Sequence, residues 1–327
     1  MNTPAQELHV IFGTGPLGKS TALELHDLGH RVQIINRSGQ SNNLPKAIEI
    51  LKGDAYDLEF TRRVTQGATS VYQCAQPAYH QWAGNFLKMQ TSILEAAASN
   101  NAKLVIADNL YMYGASNASA MRETSAYSAD TKKGLIRAEM ARSALEAHQN
   151  GRVRAALVRG SNFFGPEDEV MANLLFKPAL QNKAMNLLGR LDQPHTFTYA
   201  PDFGRALATV GTVNADLEPK VFGRAWHVPS PEAVTQNQLV KLIEAELGRK
   251  VKTQVAGAFI LNLLGLFNPT VREAVEMLYE WNQPFVMDSS DFQKTFNVKP
   301  TSLEVAIKET LVWNRRQLAG RAQLAHT

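Results

Sequence analysis

Leu8-His9-Val10-Ile11-Phe12-Gly13-Thr14-Gly15-Pro16-Leu17-Gly18 is the stretch on which the reading of this chain turns. An apolar run of the length of one buried strand passes directly into G-x-G-x-x-G. Lys19 to Leu28 then continue as a helix, with Leu17, Ala22, Leu25 and Leu28 at helical spacing. Gly13 permits the tight turn, Gly15 lets backbone N–H groups approach an anion with no Cβ in the way, and Gly18 allows close packing of helix on strand. A diphosphate would rest on the helix N-terminus, where unpaired N–H groups and the macrodipole both favour negative charge. Three glycines alone are weak evidence. The strand before them, the helix after them and a second strand at Arg31 to Ile35 make a dinucleotide-binding turn the expectation.

The bulk numbers agree with such a fold. The chain has 327 residues, 44% hydrophobic and 20% charged, enough to bury a sizeable core and unlike a disordered sequence. No run has the length and apolarity of a membrane span; Val255 to Phe267 is too short, carries Asn262 and two glycines, and reads as a buried or pocket-lining helix. Nothing before the first strand resembles a signal peptide, so a cytoplasmic location is expected. The lone Cys74 excludes internal disulfides and thiolate metal clusters, and its place at the end of an apolar strand points to a structural thiol. A net charge of +4, with the basic residues scattered, suits an anionic cofactor but not a nucleic-acid interface.

The end of the second strand bears on the cofactor. A carboxylate there would bond the ribose 2′-hydroxyl of NAD, whereas an arginine favours the 2′-phosphate of NADP. The chain has Asn36-Arg37-Ser38 and no acid, which favours NADP over NAD; the plainer alternative is that Arg37 is a solvated loop residue. A third strand, Ala47 to Leu51, leads to Asp54, and Asp57 is placed to cap the next helix. Ala68 to Cys74 is a fourth strand, followed by Ala75. A helix from about Ala83 to Ser99 precedes a fifth strand, Lys103 to Ala107, and a helix ending near His148 precedes a sixth, Val153 to Arg159. This alternation predicts an α/β fold with a doubly wound parallel Rossmann sheet. The candidate cofactor contacts in this half are Gly13, Gly15, Pro16, Leu17, Gly18, Asn36, Arg37, Ser38, Asp54 and Ala75.

Over nearly its whole length the chain resembles the extended and atypical short-chain dehydrogenase/reductases of the NAD-dependent epimerase/dehydratase type. The resemblance rests on the glycine fingerprint, Gly53-Asp54, Tyr113-Gly114, Arg159 to Pro166, Tyr199-Ala200-Pro201-Asp202 and Trp226-His227-Val228. It implies that Asp54 contacts adenine and that Ser161, Asn162 and Phe163 lie along the nicotinamide end. It also implies a smaller, helix-rich C-terminal substrate lobe over the cleft. The division it suggests is a cofactor domain over 1–166 with return segments at about 195–229, and a substrate lobe from 167–194 and 230–327.

The family's usual triad is a Ser or Thr, a Tyr acid/base and a Lys four residues after the Tyr, which lowers the phenol pKa and holds the ribose. Counting back from Tyr113-Gly114, the Ser position falls on Asn109. The window for the tyrosine holds Lys132, Lys133 and Arg137 but no Tyr. Tyr127 comes near, yet Thr131 stands four residues after it, so Y-x-x-x-K is absent. Two readings follow. In one, an oxidoreductase or epimerase/dehydratase-type site for a carbonyl or alcohol has been rebuilt: Asn109 orients the substrate, Tyr111 supplies the phenol, and Lys132 or Lys133 holds the ribose. In the other, the protein binds NADP without turnover and reports on cofactor state through partners. Asn109 can also simply cap its turn, and Tyr79, His80 and Trp82 can line a site or pack beneath the following helix.

The second half reads as a helix over Glu167 to Asn182, strands at Met185 to Leu188 and His195 to Tyr199, and a helix from Pro201-Asp202 through Val213. Ala225 to Val228 is expected to return to the main sheet, followed by helices from Thr235, over Val271 to Trp281, and over Leu303 to Trp313. Phe259, Phe267, Met277, Tyr279, Trp281 and Phe285 offer apolar surface for a pocket or a core. No His or carboxylate spacing suggests a metal. The expected partners are a small-molecule substrate and, through the helices at 84–99 and 130–149, a second copy in a homodimer.

Overall fold

The computed structural model describes residues 6–115, 119–267 and 269–324; positions 116–118 of the polar loop after Gly114 lie outside them. The chain divides into two compact units.

The first unit comprises Met1–Gly114, Ala126–Gly160 and Phe203–Val228. Its elements are β1 (Leu8–Phe12), α1 (Pro16–Asp27), β2 (Arg31–Asn36), β3 (Glu49–Lys52), α2 (Leu58–Val64), β4 (Ala68–Gln73), α3 (Trp82–Ser99), β5 (Lys103–Asp108), α4 (Lys132–Gln149) and β6 (Arg154–Arg159). With Ala225–His227 the strands form a seven-stranded sheet. Starting from Ala225–His227 the order is β6, β5, β4, β1, β2, β3, every pairing parallel. This is a doubly wound Rossmann sheet. Because helices cover both faces, its strands are apolar along their length rather than alternating: Val10, Ile11 and Phe12 are wholly buried. Met89 and Ile93 of α3 and Ala141 and Ala144 of α4 pack on Val71, Leu104 and Leu157. Each large aliphatic or aromatic side chain so buried contributes about 1.5–3 kcal/mol. The strand order reverses between β1 and β4, and ligands in such sheets sit beyond the carboxyl ends of the strands at that reversal.

Local signals start the helices where the sequence indicates. Asp57 accepts the Phe60 N–H at the head of α2, and Thr131 accepts the Gly134 N–H at the head of α4. α3 carries an irregular first turn, since Gly84 has φ +73°.

The second unit comprises Ala115–Ser125, Ser161–Asp202 and Pro229–Thr327. Its core joins Phe164, Phe176, Phe197 and Tyr199 to Leu239 and Ile243 of the helix Gln236–Leu247 and to Ile307 and Leu311 of the helix Leu303–Leu324. Thr235 and Gln238 close a reciprocal capping box on the former helix, and Gly248, at φ +66°, ends it. Two small parallel pairs complete it, Phe163–Phe164 with Thr198–Tyr199 and Met185–Leu188 with Thr253–Ala256.

Several expectations for this half change. The boundary expected at 166 falls at Gly160, because the chain beyond β6 leaves the sheet and Phe163–Phe164 pairs instead with Thr198–Tyr199. The return to the first unit begins at Phe203 rather than near 195. The helix expected from Glu167 starts later: Glu167 has φ +66°, and the Asp168 carboxylate accepts the Val170 and Met171 N–H groups. Val271 to Trp281 is broken into Pro269–Ala274, a short 3-10 turn and Tyr279–Asn282. Val255 to Phe267 is not a buried helix. It splits into the end of the strand Thr253–Ala256 and the helix Ala258–Gly265, and Phe259, Ile260, Leu263, Leu266 and Phe267 are exposed.

Candidate functional site

The glycine turn joins β1 to α1 as its residue types require. Gly13 has φ +110°, and a Cβ there would lie 2.7 Å from the Ala75 nitrogen, which places Ala75 directly against the turn. A Cβ on Gly18 would lie 2.0 Å from the Gly13 carbonyl oxygen. At Gly15 a Cβ would meet nothing within 4 Å. Pro16 opens α1 as its first residue, with Leu17 next, and no side chain caps this helix start. The amide groups of the first turn thus keep their capacity for an anion, with open space beside Gly15. Cys74 lies beneath the turn, its thiol pushed up to about 12 by burial, which fits a structural group rather than a nucleophile.

At the end of β2, Asn36 is fully engaged in the turn it begins. Its Nδ2 donates to Thr14 Oγ1 (3.0 Å) and to the Gln40 carbonyl (2.7 Å), and its Oδ1 accepts from Ser38 Oγ and the Gly39 N–H. Arg37 and Ser38 are exposed. Asp54 accepts the Tyr56 N–H at 3.0 Å. The Tyr56 phenol is raised by partial burial and by Asp54, against the opposing influence of Arg37. Arg37, Asp54 and Tyr56 therefore form one electrostatic neighbourhood. The sequence reading passed over Tyr56; its signal was an aromatic residue between two turn-forming aspartates.

The carboxyl end of β5 carries the candidate catalytic residues. Asn109 Oδ1 accepts the Tyr111 N–H at 3.1 Å, so its carbonyl closes the turn and its Nδ2 is the group available to a ligand. The Tyr111 ring lies 6.1 Å from that of Trp82. Lys133 is buried with its Nζ 4.4 Å above the Tyr79 ring and 5.5 Å from Trp82, whereas Lys132 is exposed. Lys133 thus enters the aromatic cluster. Arg137, one turn further along α4, lies over Trp82 (4.6 Å) and Phe86 (4.3 Å). Trp82 is itself buried against Phe86 and Met140, which decides for packing in its case.

Behind this cluster stands a polar network that the sequence reading missed. Asp108 bonds Arg159 Nε through Oδ2 at 3.0 Å and reaches Arg137 through Oδ1 at 3.5 Å. Arg159 also donates to the Tyr113 hydroxyl (2.7 Å) and the Tyr127 hydroxyl, and Tyr113 pairs with His227 Nε2 at 2.9 Å. Burial holds the Tyr113 phenol well above its ordinary range. Burial pulls Arg159 down, but Asp108 and Tyr113 more than offset it; for Arg137 burial prevails over Asp108. Tyr127 is thus a structural partner of Arg159, and Thr131, four residues after it, caps α4 with its hydroxyl. Only the placing of these strand ends side by side reveals the network, for its members are scattered from 108 to 227.

Ser161, Asn162 and Phe163 belong to the second unit. The Ser161 N–H donates to Thr198 Oγ1 at 3.0 Å, and Phe163 pairs with Thr198. Asn162 Nδ2 donates to Glu280 Oε2 (2.7 Å) and to His195 Nε2 (3.1 Å), which engages both amide hydrogens. His195 Nδ1 donates to the Glu280 backbone carbonyl at 3.1 Å, and its ring stacks on Trp281 at 4.3 Å. Burial raises Glu280 to about 8 and lowers His195 to about 3. Burial thus favours the uncharged form of both groups, which the Asn162 amide joins.

Among the described residues, no helix is long and apolar enough to cross a membrane. No curated protein matches the sequence. Solved structures match the fold over almost the whole chain. UDP-glucose 4-epimerase from Thermotoga maritima has a TM-score of 0.76 at 18% identity, over 95% of this chain and 99% of its own. The dTDP-glucose 4,6-dehydratase from Bacillus anthracis, in complex with NAD, has 0.77 at 15%, over 95% and 97%. UDP-N-acetylglucosamine 4-epimerase from Methanobrevibacter ruminantium has 0.78 at 18%, over 95% and 99%. The family model for the NAD dependent epimerase/dehydratase family matches residues 10–222. With the glycine turn and the parallel sheet that carries it, this match shows that the chain belongs to the NAD dependent epimerase/dehydratase family.

Proposed function

We propose that the protein is an NADP-dependent oxidoreductase or epimerase/dehydratase-type enzyme for a small carbonyl or alcohol substrate, with a rebuilt acid/base site. The observation that carries this reading is the turn from β1 to α1: a helix start with no side-chain cap, open space beside Gly15, and Gly13 pressed against Ala75. These residues fit a dinucleotide diphosphate. Dehydratases among the structural neighbours hold NAD. The preference for NADP here rests on Arg37 at the end of β2, where no carboxylate is present to receive a ribose 2′-hydroxyl.

When bound, the dinucleotide supplies a hydride donor or acceptor. The chain's part is to orient and to move a proton. Asn109 Nδ2 donates to the substrate oxygen, and the Tyr111 hydroxyl gives or takes its proton. Arg137 interacts electrostatically with Tyr111, and Lys133 lies in the same aromatic cluster. The missing Y-x-x-x-K favours the second reading, a cofactor sensor without turnover. Steady NADPH oxidation with a panel of aldehydes and ketones, lost in Tyr111→Phe and lowered in Asn109→Ala, supports the enzyme. Nucleotide binding with no oxidation across the panel, and no epimerisation or dehydration of nucleotide sugars, favours the sensor.

A further inference from the structure

At the opposite end of β1 from the glycine turn, Glu7, His9 and His30 meet. His9 Nε2 lies 3.7 Å, and His30 Nδ1 3.6 Å, from the same oxygen of Glu7, and the three potential ligand atoms lie within 4.8 Å of one another. The imidazole rings are 4.5 Å apart and cross at 62°. His9 is completely buried, yet its Nε2 has no hydrogen-bond partner, an unusual state for a buried polar atom. His30 is largely buried and Glu7 is half exposed, so the cluster opens to solvent on the Glu7 side.

Behind His9 the Tyr72 hydroxyl lies 2.9 Å from Nδ1, which holds the ring in place. Nε2 of His9 faces the cluster. Burial lowers His9 to about 3, with His30 and Lys103 adding to the effect, so the ring is neutral at ordinary pH. Lys103 is the nearby cation, and it is itself held by Glu218 (3.1 Å) and the Val213 carbonyl.

From this geometry we infer that Glu7, His9 and His30 form a binding site for a divalent transition cation of the zinc class, separate from the dinucleotide turn. Zinc bonds of about 2.0–2.2 Å to nitrogen and oxygen in tetrahedral array set ligand atoms about 3.3–3.5 Å apart, and the two separations to Glu7 need only a few tenths of an ångström of closure. Two imidazoles and one carboxylate leave a fourth position for water. The Tyr72 hydroxyl on Nδ1 of His9 is the outer support that metal-bound histidines characteristically have. The ion would tie the beginning of β1 to the turn that enters β2.

The test uses the full-length chain without a histidine tag, stripped with chelator and titrated with zinc chloride by calorimetry. A parallel titration with cobalt(II) is followed by its visible absorption. The expected result is one equivalent bound, a tetrahedral cobalt spectrum and a rise in unfolding midpoint with zinc. His30→Gln and Glu7→Gln alter partly exposed side chains, and their midpoints in chelator check that each is folded. Each should weaken zinc binding by at least about tenfold. Absence of saturable binding at millimolar zinc, or unchanged zinc affinity in both variants, overturns the assignment. Dinucleotide affinity, measured alongside, reports on the other end of the sheet and is independent of this outcome.

Discussion

Asp108 and Arg159 stand opposite each other in the register of β5 and β6, and their side chains close a buried ion pair, Oδ2 to Nε, at 3.0 Å. Both are almost fully enclosed, and Arg137 leans on the same carboxylate from α4. One negative charge thus serves two buried guanidinium groups, and the hydroxyls of Tyr113 and Tyr127 meet the remaining donors of Arg159.

Removing that carboxylate strands two buried cations. Asp108→Ala should lower the free energy of unfolding by about 3–5 kcal/mol, the usual cost of breaking a buried pair from one side. Urea unfolding followed by circular dichroism measures it. A loss under about 1 kcal/mol would mean that water reaches the network.

The glycines of the first turn should separate folding from binding. Gly15→Ala meets no protein atom within 4 Å, so stability should change by no more than about 1 kcal/mol, while dinucleotide affinity falls at least about tenfold. Gly18→Ala drives a methyl group to 2.0 Å from the Gly13 carbonyl and should unfold the turn. Calorimetric titration beside thermal unfolding of both variants checks the contrast. Equal affinity in Gly15→Ala would remove the diphosphate from this place.

Cofactor preference should reside in Arg37. Arg37→Ala is expected to weaken NADP by about ten- to a hundredfold, one or two charge-assisted hydrogen bonds, and to leave NAD within about twofold. Parallel titrations with both dinucleotides decide the matter; equal weakening would return Arg37 to the role of a solvated loop residue.

Glu280 predicts a pH dependence of stability. Its carboxyl is raised to about 8 in the folded chain, by burial first and against the Asn162 hydrogen bond, from an ordinary value of 4.5. The folded state holds this proton where the unfolded state has released it. The stability it contributes is therefore complete below about pH 4.5 and declines as pH rises through about 8. Glu280→Gln keeps an acceptor for Asn162 and has no proton to lose. Urea midpoints taken from pH 5 to 8.5 should fall more steeply for the native chain than for this variant; parallel curves would refute the assignment.

The first half of the fold was open to reading because its signals are local. The apolar run into Gly13, Gly15 and Gly18, and the cap at Asp57, each act within a few residues of chain. What the sequence concealed depends on distant partners. Asn162 looks like a ligand-facing amide until His195 and Glu280 are brought to it across 33 and 118 positions. Val255 to Phe267 looks buried because apolar composition normally implies a core, and nothing local says that Phe259 and Phe267 stay outside it. Lys132 and Lys133 are equivalent as letters; the orientation of α4 sends Lys133 onto Tyr79, while Lys132 is exposed.

The chemistry of Cys74 has a practical corollary. Burial pushes its thiol up to about 12, which depletes the reactive anion at ordinary pH. The native chain is therefore expected to label slowly with maleimide dyes, leaving reporter cysteines at Tyr56 or Phe259 to dominate the signal.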